Sequence, residues 1–152
     1  MPPPGLEHVC DLRVELAPVH ELGEGRGGTR RIIPIIGGEV EGPHCTGRIL
    51  PIGADWQLVL DNGVAELDAR YAIETTDGVV IEVVNRGLRR APAETVAAIA
   101  RGDDVDPSSY YMRTAARLET GHPDWAWVNH TIFVGTGGKR GDRVQISLYR
   151  VE

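Results

Sequence analysis

Aromatic residues and cysteines are scarce in this chain, and two kinds of apolar segment are missing from it. Aromatic residues make up 5% of its 152 residues, and the only cysteines are Cys10 and Cys45. Two cysteines exclude a disulfide-rich scaffold, so we expect free thiols and a cytoplasmic location. No apolar run approaches the roughly 20 residues that a membrane helix needs. The first residues also lack the basic and apolar regions of a signal peptide.

Positive charge is in the minority, because the formal net charge is −6 and the pI is about 5.4. A basic footprint for nucleic acid or for an anionic membrane is therefore absent. We therefore expect neither nucleic acid nor a membrane as a partner, and we expect a small molecule instead. The length suits a single domain over residues 1–152, with residues 1–7 as a flexible N-terminal segment.

Sequence motifs for metal, dinucleotide and serine-hydrolase sites are also missing. The five histidines have no zinc-type spacing, and neither C-x-x-C nor G-x-S-x-G occurs. Residues 23–28, "GEGRGG", fit the dinucleotide pattern G-x-G-x-x-G, but β-branched residues and Pro34 follow where that site needs a helix. We therefore predict a loop there, no cofactor and no metal.

Alternation of apolar and polar residues with period two dominates the rest of the chain. One segment, Pro92 to Arg101, has the pattern of a helix, with proline in the first turn and Gly102 after the end. The turn signals "DNG" at 61–63 and "TDG" at 76–78 indicate hairpins. So many strands need closure into a barrel or a two-sheet sandwich to protect their edges. The predicted strands are 8–16, 29–37, 44–50, 55–60, 64–75, 79–86, 110–119, 130–135 and 143–151.

Two of these strands carry arginine and carboxylate side chains on one face. In strand 64–75 that face includes Asp68 and Arg70, and in strand 110–119 it includes Arg113 and Glu119. Facing water, such residues form surface ion pairs of about 0–1 kcal/mol. Facing a closed lumen, they must be paired, and they can bind polar ligands or transfer protons. The alternation alone leaves both orientations open.

Most of the few aromatic residues stand close to charged ones in the sequence. Aromatic walls with a few fixed polar groups are typical of small-ligand pockets, although large aromatic residues also fill β cores. The residues concerned are Trp56, Tyr71, Tyr110, Tyr111, Trp125 and Trp127.

An ordered set of motifs resembles domain-of-unknown-function family 3237 from about residue 8 onward. The matching segments are "GADW" at 53–56, "LDARY" at 67–71, "YYMRT" at 110–114 and "WAWVN" at 125–129. Ala116 and Leu118 depart from the proline and aromatic residue that the family pattern has there. The resemblance implies an all-β fold, a closed antiparallel barrel with a lipocalin-like or calycin-like architecture.

The leading hypothesis is cofactor-free acid–base chemistry on an oxygenated metabolite in the barrel lumen, as an isomerase, cyclase or lyase. Arginine would hold an oxyanion, a carboxylate would move the proton and tyrosine would donate a hydrogen bond. The candidate catalytic residues are Asp55, Asp68, Arg70, Tyr71, Arg113 and Glu119. The candidate ligand-binding residues are Trp56, Tyr111, Trp127 and Asn129.

Two other hypotheses remain open at this stage. A lipocalin-like carrier would bind its ligand without turning it over. An assembly module, such as a homodimer, would pair through the barrel exterior and have a lumen filled by side chains.

Overall fold

The computed structural model describes all residues, 1–152, and shows ten strands, one α-helix and two 3₁₀ segments. The strands are β1 (Leu6–Leu16), β2 (His20–Glu24), β3 (Thr29–Glu41), β4 (Gly47–Ile49), β5 (Gly53–Val59), β6 (Ala65–Thr75), β7 (Val80–Arg90), β8 (Tyr111–Glu119), β9 (Phe133–Arg140) and β10 (Arg143–Val151). Helix α1 (Ala93–Ala100) follows β7, and the 3₁₀ segments are Pro107–Ser109 and Pro123–His130.

The sheet is antiparallel throughout and closes on itself. Its order runs β1-β10-β9-β8-β7-β6, then through β4 and β5 to β3, and β3 pairs with β1. β4 and β5 lie end to end between β3 and β6, so they fill one position, and the result is a closed barrel of eight strands. The predicted all-β closed barrel is therefore confirmed.

Period-two alternation decides which side chains enter the barrel. On β6, Leu67, Tyr71 and Ile73 are buried, whereas Glu66 and Arg70 are exposed. β5 reverses the usual chemistry, because Gln57 is buried inside the barrel and Trp56 is 47% exposed outside. The inward face of β5 is thus polar and its outward face apolar.

The two ends of the barrel are filled differently. One end holds a core of 19 buried residues around Phe133, Ile73 and Ile81, and Trp125 and Trp127 pack against it. At the other end a cluster of five residues includes Ile99 of α1, Tyr110 and Met112. The helix therefore covers this end of the barrel.

Most predicted elements are present, with differences at their ends. The "DNG" and "TDG" turns connect β5 to β6 and β6 to β7. β2 was not predicted, because its sequence "HELGE" is polar and all five residues are exposed. The strand predicted at 130–135 begins at Phe133, because Pro123–His130 forms a 3₁₀ segment instead. Of the predicted loop "GEGRGG", Gly23 and Glu24 end β2, and residues 25–28 form the turn to β3, where the Gly25 amide donates to the Gly28 carbonyl.

The N-terminal segment leads directly into the first strand. β1 begins at Leu6, so the segment expected to be flexible, 1–7, overlaps the strand by two residues. Glu7 there contacts His44 and Arg150.

Cys10 and Cys45 are both free and buried. The helix of this fold is too short to cross a membrane.

Gly38 supplies a testable constraint on closure. Its φ is +138°, and a β-carbon there would lie 2.1 Å from the Arg13 carbonyl oxygen on β1. We expect Gly38→Ala to lower the free energy of unfolding by at least about 2 kcal/mol, through backbone strain and separation of β1 from β3. Urea denaturation measures this loss. Gly121→Ala is the control, since nothing lies within 4 Å of a β-carbon there, and a cost as small as the control's would contradict the account.

Candidate functional site

A cavity of about 510 Å³ occupies the end of the barrel beneath α1. It is lined by 26 residues, of which 16 are hydrophobic. Val96 and Ile99 of α1 and the connection 17–19 after β1 stand over it. A cavity of this size, mostly apolar with a few polar groups, has the form of a small-molecule site.

Residues that carry an unpartnered buried polar atom concentrate around this cavity. Five buried side-chain nitrogen or oxygen atoms of the protein have no hydrogen-bond partner, and all five belong to residues that line it. They are Arg31 Nε, Tyr71 Oη, Asn85 Oδ1, Arg89 Nε and Thr114 Oγ1. Buried polar groups without partners are destabilising, typically by about 1–3 kcal/mol each, and they are rare in folded proteins. Their convergence on one cavity identifies it as the candidate site.

The strand register spreads these residues over successive levels of the barrel. Asp55 lies opposite Ala69, which lies opposite Asn85, so the first and last belong to one row across β5, β6 and β7. Thr114 lies opposite Gly87, two residues further along β7. Arg89 comes two residues beyond that and lies nearer to α1.

Asp55 is the carboxylate on the inner wall. Its Oδ2 accepts a hydrogen bond from Gln57 Nε2 at 2.8 Å, and its Oδ1 accepts one from the Asp68 backbone amide at 2.9 Å. Burial raises the pKa of Asp55, and these two hydrogen bonds oppose the shift only in part. A carboxylate whose conjugate acid has a raised pKa is a better proton acceptor than an exposed aspartate.

Tyr71 and Asn85 form the polar floor of the cavity, and each is only 2% exposed. Burial raises the pKa of Tyr71, while the nearby Asn85 side chain lowers it by a smaller amount. No hydrogen bond reaches Tyr71 Oη or Asn85 Oδ1. The Tyr71 hydroxyl therefore stays protonated at neutral pH and can donate to a ligand oxygen.

Two arginines face the same space. Arg31 Nη2 donates to Gln57 Oε1 at 3.2 Å, which links it to Asp55 through Gln57. Burial lowers the pKa of Arg89, and the positive charge of Arg31 lowers it further. Guanidinium groups remain charged under ordinary conditions, so both supply positive charge to the cavity.

Of the ten sequence-predicted site residues, Asp55 and Tyr71 line the cavity. The expectation that four others face the lumen is corrected, because Asp68, Arg70, Arg113 and Glu119 lie on the outer side of the barrel. Asp68 pairs with Arg86 on the exterior at 3.2 Å, and Arg70 is exposed. Arg113 and Glu119 lie on the exposed face of β8. The reason is that the apolar alternate residues of these strands, rather than the charged ones, fill the barrel.

The four predicted ligand-binding residues also lie outside this cavity. Trp56 is on the outer face of β5, and the exposed Tyr111 ring lies beneath the guanidinium groups of Arg90 and Arg113. Trp127 packs on Phe133 at the opposite, filled end, with ring centroids 5.9 Å apart. Asn129 Nδ2 donates to the Thr120 carbonyl at 2.8 Å.

Sequence reasoning missed eight polar residues of the cavity, and a specific signal marks four of them. Arg31, Asn85, Arg89 and Thr114 each stand at a position where the alternation of the strand calls for an apolar side chain. Arg31 shares its face with Ile33 and Ile35, and Thr114 shares its face with Met112 and Ala116. The missed residues are Glu21, Arg31, Gln57, Asn85, Arg89, Thr114, Lys139 and Asp142.

Comparison with known proteins places the chain among close relatives. The family model described as "Protein of unknown function (DUF3237)" matches residues 4–151. A UPF0311 protein from Rhodopseudomonas palustris is 44% identical over 145 residues, with 95% of each chain covered.

No cluster of three or more His, Cys, Asp or Glu side chains in this chain has an arrangement that could hold a metal ion.

Solved structures share the architecture. A conserved protein of unknown function from Rhodopseudomonas palustris has a TM-score of 0.96 at 42% identity, with both chains fully covered. A beta-barrel like protein from Acinetobacter baumannii has a TM-score of 0.88 at 44% identity, over 100% of this chain and 98% of that one. A more distant likeness, to an enzyme from Penicillium herquei, has a TM-score of 0.75 at 19% identity, over 100% and 97%. This last likeness shows a shared fold.

The raised pKa of Asp55 predicts a particular pH dependence of stability. Below the usual aspartate value of 3.8 the carboxyl group is neutral in both states. Between that value and the higher folded-state pKa, the folded protein binds more protons than the unfolded one, so this group makes stability fall as pH rises. We expect Asp55→Asn to remove that fall, so that the variant gains stability relative to the wild type across this window.

Urea denaturation from pH 3.5 to 8 measures the effect. Asp61→Asn, at an exposed turn position, sets the background. The carboxyl carbon of Asp55, followed by NMR, should titrate above 3.8. A titration at or below 3.8 would contradict the proposed burial effect.

Proposed function

The chain belongs to the DUF3237 family, and we propose that its barrel binds an oxygenated small molecule and performs cofactor-free proton transfer on it. The reaction class is isomerisation, cyclisation or a lyase step. The observation that carries the proposal is the convergence of all five unpartnered buried polar atoms on the cavity that contains Asp55. A ligand with several oxygen atoms would supply the hydrogen bonds that these groups lack.

Asp55 is the proton-transfer residue of this proposal. In its ionised form its carboxylate would take a proton from a carbon or hydroxyl group of the ligand and return it at a second position. In an isomerisation or cyclisation the net change is then a rearrangement. In a lyase step the proton passes to the departing group instead, and neither case needs an oxidant or reductant. Burial keeps the carboxylate more basic than an exposed aspartate, which favours this role.

The unpartnered donors would stabilise the charge that develops on the ligand. Loss of a proton next to a carbonyl group leaves negative charge on the oxygen. Tyr71 Oη and the guanidinium Nε atoms of Arg31 and Arg89 are hydrogen-bond donors without partners in the same cavity. They are held by strands of a closed barrel, so they need little reorganisation as the charge forms.

Fold-level likeness is compatible with catalysis in this architecture. The Penicillium herquei protein with this fold is described as an enzyme. At 19% identity its reaction does not transfer to this chain. The proposal therefore rests on the cavity.

A ligand-observed NMR screen of the purified protein against oxygenated and aromatic metabolites tests the proposal. Each mixture is followed for hours to detect chemical change. For a converted compound, we expect Asp55→Asn to lower kcat by about 10²–10⁴-fold, because that is the usual contribution of a general base. Glu66→Gln, on the exposed face of β6, is the matched control and should leave kcat unchanged.

The alternative, a non-catalytic carrier, is favoured by the apolar majority of the lining, which suits retention of an apolar body. Compounds that bind without conversion, with affinity unchanged in Asp55→Asn, would establish the carrier and overturn the catalytic proposal. Conversion that persists fully in Asp55→Asn would show that another group moves the proton.

A further inference from the structure

We infer that the ligand is an organic anion with an apolar body, and that its oxyanion binds to Arg31 and Arg89. The inference rests on the proposed function, because it concerns the ligand of the same cavity. It is tested by the charge preference of binding at the two arginines, however, whereas the proton transfer is tested by turnover at Asp55.

Of the two arginines, Arg89 gives the stronger evidence for an anionic ligand. Its Nε is buried without a hydrogen-bond partner, and its guanidinium forms no ion pair within 4.0 Å. Burying a charged group without a counter-charge is costly, so arginines in such places normally have a carboxylate partner. Here no carboxylate lies within 4.0 Å, and Asp55 acts on Arg89 only at longer range, where its charge raises the pKa of Arg89 less than burial lowers it. An anionic ligand would complete a direct pair.

Arg31 is only partly neutralised. Its nearest carboxylate is that of Glu21 on β2, 4.0 Å away and 61% exposed, and its Nε is also buried without a partner. Since Arg31 lowers the pKa of Arg89, the two positive charges repel each other. An oxyanion that contacts both would remove this repulsion and accept hydrogen bonds from both Nε atoms.

The other charges around the cavity do not supply the missing partner. Asp55 accepts its hydrogen bonds from Gln57 and a backbone amide rather than from an arginine. Asp142 is exposed at the rim, and Lys139 adds a further positive charge, with Nζ 3.5 Å from the Ile99 carbonyl. Solvent screens the exposed Glu21 and Asp142 carboxylates more than it screens the half-buried Arg31 and Arg89, whose Nε atoms are shielded from water.

The remaining wall of the cavity selects the body of the ligand. Val14, Ile33, Ile35, Leu67, Met112 and Ile146 line it with hydrocarbon. A small polar anion such as phosphate would leave these side chains without contact. The cavity volume of about 510 Å³ suits a carboxylate or phenolate attached to one or more rings or to a branched chain.

The experiment compares 2-naphthoate with its neutral analogue 2-naphthamide by calorimetry and ligand-observed NMR on the intact protein. We expect the anion to bind at least about tenfold more tightly, because charge-assisted hydrogen bonds to arginine favour it. Arg89→Met and Arg31→Met should each reduce this preference at least fivefold. Arg86→Met is the matched control, since Arg86 is on β7 like Arg89 but faces solvent beside Asp68, and it should retain the preference.

Thermal unfolding of the unliganded variants gives a second readout. If Arg89 is an uncompensated buried cation, Arg89→Met should raise the melting temperature by about 2–4 °C while weakening naphthoate binding. A structural arginine would instead lower the melting temperature on replacement. The two readouts together separate a ligand-binding role from a packing role.

Several outcomes would overturn the inference. Equal affinity for the two probes, no binding of either at millimolar concentration, or an equal loss in Arg86→Met would each do so. A preference for the anion without any Asp55-dependent conversion would uphold the inference and overturn the catalytic proposal. Asp55-dependent conversion of a screened compound, combined with equal binding of the two probes, would overturn the inference alone.

Discussion

Antiparallel pairing of β1 with β3 closes the sheet, and the interior of this protein exists only because of that closure. Once the ring is complete, one face of every strand is cut off from bulk water. Side chains on that face must then pack, pair or line a cavity. At one end they pack around Phe133. At the other end β5 and β7 contribute Asp55, Gln57, Asn85 and Arg89, and a cavity remains.

The unpartnered groups around that cavity lower the stability of the protein. Folded proteins rarely keep such destabilising groups unless the groups serve a function. Burial of Asp55, Tyr71 and Arg89 disfavours the charged form of each, while the closed sheet holds them in place. The same burial that raises the pKa of a carboxyl group also strengthens any hydrogen bond to a ligand, because both effects come from the low dielectric. Stability and recognition are therefore opposed at this end of the barrel.

The charges on the outer faces of β6 and β8 lie in water, so their interactions are weaker than those inside the cavity. Asp68 with Arg86, and Arg48 with Glu74, form ion pairs at the surface, where water screens them. Their alternation resembles that of a lumen with paired charges, which is why the sequence pattern made both orientations reasonable. The distinction lies in the surroundings: the exterior charges lie in water, whereas Arg89 lines the cavity, has its Nε buried and has no ion pair within 4.0 Å.

The sequence by itself determined the strand alternation, the hairpin turns, the short helix at 93–100 and, through its ordered motifs, the family and the barrel. These features are local or depend on a pattern that residues i and i+2 share. Only the tertiary structure decided which polar residues meet, because Arg31, Asp55, Tyr71 and Asn85 come from four strands and converge through closure. The local sequence indicated a polar residue on an apolar face for Arg31 and Asn85, but the distances across the lumen depend on strand order and register.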